Sequence, residues 1–241
     1  VRQQQIDPVP GRCVVSGLWS DVAPQLWPAF WVTIKLTFWA ALGSMIWGTV
    51  LAALRVSPVP VMRVFGTWYV NIVRNTPLTL IVVFCSIGLY GKLGLALAPE
   101  NENFIKNNNF WLAVLGFVLY TSTFVCETLR SGFNTVPIGQ AEAARSLGLP
   151  FTKVFTIIVL PQAIRSVIVP LGSVLIALTK NTTIASAIGV GEASLLMKEQ
   201  IENHGDQVVA VFAIFAVGFM ILTLTESLVF GALARRLAVR R

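Results

Sequence analysis

The stretch VVAVFAIFAVGFMILTLT, at residues 208–225, contains no charged residue over 18 consecutive positions. A helix needs about 20 apolar residues to cross the hydrocarbon core of a bilayer, so this stretch predicts a membrane-spanning helix. The same pattern recurs toward the N-terminus. Residues 30–54 contain Lys35 as their only charge, and residues 110–125 contain none. Together these stretches predict a chain that crosses the membrane several times.

The composition predicts the same fold class. Of the 241 residues, 55% are hydrophobic and 12% are charged, and the mean hydropathy is +0.74. Soluble domains carry about 25% charged residues, so this chain lacks the polar surface to fold in water. We therefore predict an all-α polytopic membrane protein with about five transmembrane helices. Within a membrane domain at residues 26–234, the spans are predicted at residues 28–54, 61–90, 110–128, 154–178 and 208–230.

The basic residues predict the orientation, because Lys and Arg collect on the cytoplasmic side of membrane proteins. Nine fall on one side of the predicted spans, namely Arg55, Arg63, Arg130, Arg145, Lys153, Arg235, Arg236, Arg240 and Arg241. Five fall on the other side, namely Arg2, Arg12, Lys92, Lys106 and Lys198. This asymmetry predicts a basic cytoplasmic tail at residues 235–241 and a polar, extracytoplasmic leader at residues 1–25. We expect the first span to be retained, because its apolar run is too long for a signal peptide.

Several functional classes have no sequence signature here. The net charge of +7 is spread beside the spans, as topology determinants are, so we expect no nucleic-acid partner. Cys13, Cys85 and Cys126 lack the spacing of a metal or redox site, and His204 is expected to be solvated in a polar loop. The chain also lacks a G-x-x-x-x-G-K-[ST] phosphate-binding loop. We therefore predict a transport subunit rather than an enzyme, with no metal and no cofactor of its own.

The segment between the third and fourth predicted spans has an unusual pattern. It reads GQAEAARSLG at residues 139–148, and IVLP follows at residues 158–161 after nine intervening residues. Pro137 suits a helix start, and Gly148 with Pro150 suits a helix end, so we predict a short helix of about 10 residues. Its alanines would let a partner approach the backbone closely. Two interpretations stay open on these residues alone: a rigid docking rod, or an interfacial amphipathic helix that links two spans.

This pattern resembles the cytoplasmic signature of permeases of binding-protein-dependent ABC importers: Glu-Ala-Ala, three residues, Gly, nine residues, Ile-x-Leu-Pro. The resemblance implies the type I importer permease fold. It also implies that residues 137–150 form a coupling helix that docks on a dimer of ATP-binding cassette subunits, where the ATP is bound. The residues that match the signature in this helix are Glu142, Ala143, Ala144 and Gly148.

The resemblance extends from about Leu26 to the C-terminus. RNTPL at residues 74–78 and LTKNTT at residues 178–183 are similar to segments of the polar amino-acid permease branch, with Asn75 in place of the usual Gly. Residues 73–90, 119–148 and 175–197 look most like the glutamate-uptake permeases of actinobacteria. That likeness implies a second homologous permease chain, as a heterodimer or a homodimer. It also implies an extracellular solute-binding protein and the bacterial cytoplasmic membrane as the location.

Polar residues within the spans are candidates for substrate binding, because ionisable groups in a bilayer are costly and often functional. Arg74 precedes Pro77, which suits the start of a new helical segment whose positive end would favour a carboxylate. A purely structural kink is the alternative there. The full set of predicted substrate-binding residues is Arg74, Asn75, Thr76, Glu127, Lys180, Asn181, Thr182 and Thr183.

Each candidate has a structural alternative. Glu127 and Arg130 are spaced to form an ion pair along one helix. Glu226 and Arg165 are also intramembrane candidates, but they suit positions near an interface where they pair or reach water. The run at residues 180–183 fits either a pore lining or polar packing between subunits. In relatives that carry basic amino acids, the position of Asn181 resembles an acidic one, so a neutral side chain here favours an anionic or neutral substrate.

The predicted function is therefore that of the permease subunit of an ABC importer. It would move a polar amino acid, with glutamate favoured, by alternating access that a separate ATPase drives. The same machine for glutamine or another amino acid is the first alternative. An ion-coupled secondary transporter is a second, but it would not explain the cytoplasmic signature, and five spans give no obvious inverted repeat. A structural scaffold is disfavoured by charged and proline-interrupted spans.

Overall fold

The computed structural model describes residues 11–237, with side chains described for residues 18–236. All regular elements in this part of the chain are helical, which confirms the predicted all-α fold class. The elements in order are α1 (Gly11–Val56), α2 (Pro60–Asn75), α3 (Leu78–Val83), α4 (Phe104–Asn134), α5 (Ile138–Ser146), α6 (Phe151–Lys153), α7 (Leu160–Asn181), α8 (Ala193–Asn203) and α9 (Val208–Leu237). Wider π-helical turns occupy Phe84–Tyr90 and Val154–Val159, and a 3₁₀ segment occupies Thr182–Ile188.

Four continuous helical stretches are long and apolar enough to cross a membrane, and a bent pair makes a fifth. The continuous stretches are Leu18–Val56, Phe104–Asn134, Phe151–Ile188 and Val208–Arg236. The bent pair joins Pro60–Asn75 to Leu78–Tyr90 at an angle of 104°. Each of the five predicted spans lies within the bounds of one of these, and the second includes the break of the bent pair at residues 76 and 77. The observed helices are longer than the predicted spans, because they continue beyond the apolar residues into polar ones.

The first helix begins earlier than predicted. Because α1 starts at Gly11, the part of the proposed leader from residue 11 to residue 25 is helical, and Pro24 and Pro28 lie inside the helix. Leu18 and Val22 are fully or almost fully buried there, in a cluster shared with α8 and α9. Burial of this apolar face offsets the backbone hydrogen bonds that the prolines remove. Residues 1–10 lie outside the described part of the chain.

A proline explains the sharp bend between α2 and α3. Thr76, the residue before Pro77, is extended, with φ −91° and ψ 133°. The ring of a proline disfavours the helical conformation in the residue before it, so α2 must end here. Pro77 then serves as the N-cap of α3, which confirms that a new helix starts after it. The fourth span is irregular in a similar way, since its π-helical turns end where α7 begins with Leu160 and Pro161, and Pro170 lies inside α7.

Helix α4 lies at the centre of the bundle. It packs against α1, α2, α3 and α7, and it is the most buried of the candidate spans. Its contact with α1 is close because Gly48 of α1 lies against Val125 and the backbone carbonyl of Ser122. Gly116 and Gly132 allow α3 and α7 to approach α4 in the same way. Small residues at helix crossings are the common means of close packing in membranes.

The crossing of α1 and α4 should be intolerant of one added methyl group. In a Gly48→Ala variant, the new Cβ would lie 2.6 Å from Val125 Cγ1 and 2.9 Å from the Ser122 carbonyl oxygen. Backbone cannot rotate away, so the helices must separate, at a cost of about 1–3 kcal/mol. We expect a lower midpoint of thermal unfolding in detergent. Gly231→Ala is the matched control, because this helical glycine has no neighbouring atom within 4 Å. Equal midpoints for the two variants would contradict the packing described.

Candidate functional site

Three charged side chains meet where the ends of α1 and α2 pack on α4. Arg74 Nη1 donates a hydrogen bond to Glu127 Oε2 at 2.6 Å, and Arg55 Nη1 lies 3.9 Å from Glu127 Oε1. We call Arg55, Arg74 and Glu127 the membrane cluster. The Arg55 side chain is 10% exposed, whereas those of Arg74 and Glu127 are 38% and 36% exposed. The structure therefore joins two predicted site residues, and the partner of Glu127 is Arg74 rather than Arg130.

The two residues after Arg74 hydrogen-bond to their own helix. Asn75 Nδ2 donates to the Asn71 carbonyl at 2.7 Å, and Thr76 Oγ1 donates to the Ile72 carbonyl at 2.9 Å. Carbonyls in the last turn of a helix lack backbone partners, and these side chains supply them. In this conformation the side chains of Asn75 and Thr76 therefore hydrogen-bond to carbonyls of the last turns of α2.

The second predicted group, at residues 180–183, lies where α7 changes into the 3₁₀ segment. Thr182 Oγ1 donates to the Thr179 carbonyl at 2.7 Å, and Thr183 Oγ1 donates to the Lys180 carbonyl at 2.9 Å. Lys180 is exposed and Asn181 is half-buried. Among the described residues, neither side chain forms a hydrogen bond or an ion pair. Lys180 and Asn181 are therefore the members of this group that can meet a solute or a second chain.

The two remaining intramembrane candidates, Glu226 and Arg165, differ in burial and in hydrogen bonding. Thr179 Oγ1 donates to Glu226 Oε1 at 2.7 Å, so Glu226 ties α9 to α7. Its second oxygen, Oε2, is buried and has no hydrogen-bond partner among the described residues. Arg165 is exposed on α7 and forms no ion pair within residues 18–236. Of the two, Glu226 has a side-chain partner on a neighbouring helix, and Arg165 is exposed.

A buried carboxylate fixes the start of α8. Glu192 is fully buried and caps the helix: Oε2 accepts the N–H of Ser194 at 2.8 Å, and Oε1 accepts the N–H of Leu195 at 3.0 Å. Thr33 Oγ1, from α1, accepts the N–H of Ala193 at 3.2 Å. The backbone amides of the first three residues of α8 are thereby satisfied by side chains. We call Thr33, Glu192 and the residues they bind the α8 clasp.

A chain of hydrogen bonds connects α8 to the polar group at residues 180–183. Lys198 Nζ donates to Ser186 Oγ at 2.8 Å, and Ser186 Oγ donates to the Thr183 carbonyl at 2.7 Å. The end of the 3₁₀ segment is also held, because Asn109 Nδ2 of α4 donates to the Ile188 carbonyl at 2.7 Å. The 3₁₀ segment that follows Lys180 and Asn181 is thus anchored from α4 and from α8.

Burial raises the pKa of Glu192 to about 7 from its ordinary value of 4.5, although the amides of Ser194 and Leu195 and the charge of Lys198 favour the anion. Desolvation prevails because the carboxyl is shut off from water. Glu192 precedes α8 and lies between the last two membrane-spanning stretches. It is the group in the α8 clasp whose charge changes near neutral pH.

Sequence inspection missed the roles of Arg55 and Glu192. Arg55 counted only as a topology determinant at the end of a span, and nothing in its neighbours indicates Glu127 as a partner 72 positions away. Glu192 did have a local signal. It follows Gly191 directly and precedes a helix-forming run, which is a typical position for an acidic N-cap.

The short helix predicted between the third and fourth spans is present as α5, Ile138–Ser146, and Pro137 is its N-cap. Gly148 ends it with φ at +83°. The N–H of Gly148 donates to the Arg145 carbonyl at 2.9 Å, and the N–H of Leu149 donates to the Ala144 carbonyl at 3.3 Å. These two bonds form a Schellman motif, which requires a left-handed residue after the helix and so favours glycine.

The outer surface of α5 is open. Ala144 is buried toward the chain, whereas Glu142 and Ala143 are exposed. Apolar side chains at and beyond the two ends of the helix are also exposed: Ile138 to 75%, Leu147 to 83% and Phe151 to 76%. On the other side, Gln162 Nε2 of α7 donates to Gln140 Oε1 at 2.7 Å. The helix is therefore attached to the membrane helices on one side and presents a free face on the other.

The titration of Glu192 predicts how stability depends on pH. Because the pKa is about 7 in the folded chain and 4.5 ordinarily, the stability that this carboxyl contributes is fully present below pH 4.5. It is lost as the pH rises through about 7, by on the order of 3 kcal/mol. We expect the midpoint temperature of thermal unfolding of the wild type in detergent to decrease as the pH is raised from 5 to 8. The midpoint temperature of Glu192→Gln should decrease less. Glu199→Gln, on the exposed side of α8, should keep the wild-type dependence. A Glu192→Gln variant as pH-dependent as the wild type would show that this carboxyl does not titrate there.

Comparisons with known proteins agree with this geometry. Residues 59–239 match the family described as "Binding-protein-dependent transport system inner membrane component". The chain is 65% identical to the glutamate transport system permease protein GluC of Corynebacterium glutamicum, over 94% of this chain and 100% of that protein. It is 32% identical to the probable glutamine ABC transporter permease protein GlnM of Bacillus subtilis, over 86% of this chain and 91% of that protein.

A solved structure has the same fold. The crystal structure of an amino acid ABC transporter with histidines has a chain that matches with a TM-score of 0.80 and 25% identity, over 97% of this chain and 100% of that one. The predicted type I importer permease fold is therefore confirmed, and the chain is a multi-pass membrane protein. It belongs to the family of binding-protein-dependent transport system inner membrane components, the permease subunits of ABC importers.

Proposed function

We propose that this chain imports glutamate across the bacterial cytoplasmic membrane, as one permease chain of a complex that a separate ATPase drives. The observation that carries the substrate assignment is the 65% identity to a glutamate transport system permease over almost the whole chain. The charge of the candidate site supports it. The membrane cluster holds two cations against one anion, Lys180 adds a third cation, and Asn181 is neutral. This balance favours a solute with an extra carboxylate over one with an extra cation.

The free face of α5 is the proposed docking site for the ATPase. ATP would be bound by that separate chain, which forms a dimer beneath the permease. The exposed apolar side chains at the ends of α5 suit insertion into a groove, because apolar anchors in pockets dominate binding energies. The Schellman end at Gly148 makes the helix a short rigid body. Glu142, Ala143, Ala144 and Gly148 therefore couple ATP hydrolysis to movement of the membrane helices.

Partners on the other faces follow from the same proposal. A second homologous permease chain would cover the open side of the membrane cluster and Lys180, where polar side chains would otherwise face lipid. An extracellular solute-binding protein would deliver the amino acid. The basic-residue asymmetry supports a cytoplasmic C-terminus. In alternating access, the path between the two permease chains opens first to one side of the membrane and then to the other.

Gly148 provides a test of coupling. Valine is a β-branched residue that the left-handed conformation excludes, whereas asparagine tolerates it. We expect Gly148→Val to abolish uptake and substrate-stimulated ATP hydrolysis, while membrane insertion and binding of solute by the extracellular protein stay normal. Gly148→Asn should keep at least about half of the uptake. Normal transport by the valine variant at normal expression would contradict the coupling role of this helix end.

The substrate is tested by uptake of labelled glutamate, glutamine and aspartate, measured per inserted complex. The wild type should prefer glutamate. Asn181→Asp would place a second negative charge near the solute, at a cost of about 4 kcal/mol for charges about 4 Å apart at an effective dielectric near 20. Glutamate uptake should then fall more than tenfold, and glutamine uptake should fall less. In Arg74→Gln, too, glutamate uptake should fall more than glutamine uptake.

The control for Asn181→Asp is Asn181→Ser, which removes the amide without adding a charge. We expect it to affect glutamate and glutamine alike. If Asn181 instead packs between the permease chains, all its variants should lower insertion for every substrate equally. Equal proportional losses for glutamate and glutamine in Asn181→Asp and Arg74→Gln would remove the support for this site. A wild type that prefers glutamine would contradict glutamate as the substrate.

A further inference from the structure

The membrane cluster contains one more positive charge than negative charge, so one of its two arginines is left without a carboxylate of its own. The single carboxylate of Glu127 faces two guanidinium groups, one oxygen toward each. Its contact with Arg74, at 2.6 Å, is a short charge-assisted hydrogen bond. Its contact with Arg55, at 3.9 Å, is about 1 Å too long to be a hydrogen bond. Arg55 is therefore near an anion without being bonded to it.

Arg55 is also the most buried member of the cluster, and one of its donors lacks an acceptor. Its Nε is buried with no hydrogen-bond partner among the described residues. Its other contact is between Nη1 and the sulfur of Cys126, at 3.9 Å, and a thiol is a weak acceptor. A guanidinium has five N–H donors and is costly to bury when they stay unpaired. The conformation in which Arg74 holds Glu127 thus leaves the Nε of Arg55 without an acceptor and Nη1 with only a weak one.

The side chain of Arg55 is prevented from moving away. Its Cγ lies only 2.9 Å from the place where a Cβ on Gly66 of α2 would be, so α2 packs directly on its aliphatic part. The carboxylate of Glu127 can move more easily, because more than a third of that side chain is exposed. A shift of about 1 Å would bring Glu127 Oε1 within hydrogen-bond distance of Arg55 Nη1 and so give the buried cation a carboxylate partner.

We propose that Arg55 is a positioning residue that competes with Arg74 for Glu127, and that this exchange frees Arg74 to bind the carboxylate of the amino acid in transit. Glu127 keeps one ion pair in both arrangements, and after the exchange the cation without a bonded carboxylate is the exposed Arg74 instead of the buried Arg55. Arg74 lies beside the bend between α2 and α3, and its side chain is exposed enough to meet a solute. The inference rests on the proposed transport of an amino acid, but not on which amino acid it is.

The exchange predicts an unusual result for a double variant. In Arg55→Gln, Glu127 stays on Arg74, and the KM for uptake should rise about tenfold, the effect of one lost charge-assisted hydrogen bond. In Arg55→Gln with Glu127→Gln, no carboxylate holds Arg74, and the KM should return to within about threefold of the wild type. The maximal rate per inserted complex should change less than the KM. Arg63→Gln, an exposed arginine on α2, is the matched control and should leave the KM unchanged.

The comparison is made in proteoliposomes that contain the whole complex, with each amino acid that the wild type carries. A structural role for Arg55 predicts instead that the double variant is no better than Arg55→Gln, with a lower maximal rate. That result, or an unchanged KM in Arg55→Gln, would overturn the proposal. The ratio of glutamate to glutamine uptake in the wild type tests the proposed substrate separately. A wild type that prefers glutamine would remove glutamate as the substrate, while the rescue measured with glutamine would still test the role of Arg55.

Discussion

The close packing of α4 against its neighbours is the constraint on which the rest of the structure depends. In a bilayer, helices gain little by hiding apolar surface from one another, so their association relies on tight contact. Gly48 on α1 and Gly116 and Gly132 on α4 provide that contact, since an added Cβ at each would collide with a valine of the adjoining helix. Because α4 touches α1, α2, α3 and α7, these contacts set the positions of the charged and polar side chains.

That packing brings together charged side chains that are far apart in the sequence and that helical spacing alone would not pair. Glu127 on α4 meets Arg55 at the end of α1 and Arg74 at the end of α2, and the bend at Pro77 leaves Arg74 near the surface. The polar segment after α7 is held separately, through Asn109 of α4 and through α8. The proposed solute path therefore has a fixed framework around a small number of side chains whose partners can exchange.

Much of the fold followed from the sequence because charge-free runs are long and helix ends carry clear signals. Pro77, Pro137 and Gly148 all lie where the sequence predicts helix boundaries. The site was less predictable. The run at residues 180–183 was found by its polarity, but which members bond to their own backbone depends on the 3₁₀ geometry. The partners of Glu127 depend on how three helices cross, and helix crossings leave no periodic signal in one chain.

In the proposed exchange, a solute carboxylate takes the place of Glu127 on Arg74 while the importer carries glutamate. This exchange is tested most directly by a structure of the assembled complex with labelled glutamate bound in the membrane region. We expect a glutamate carboxylate within about 3 Å of the Arg74 guanidinium, and Glu127 hydrogen-bonded to Arg55. A bound glutamate that contacts neither Arg74 nor Asn181, with the ion pair of Arg74 and Glu127 intact, would contradict it.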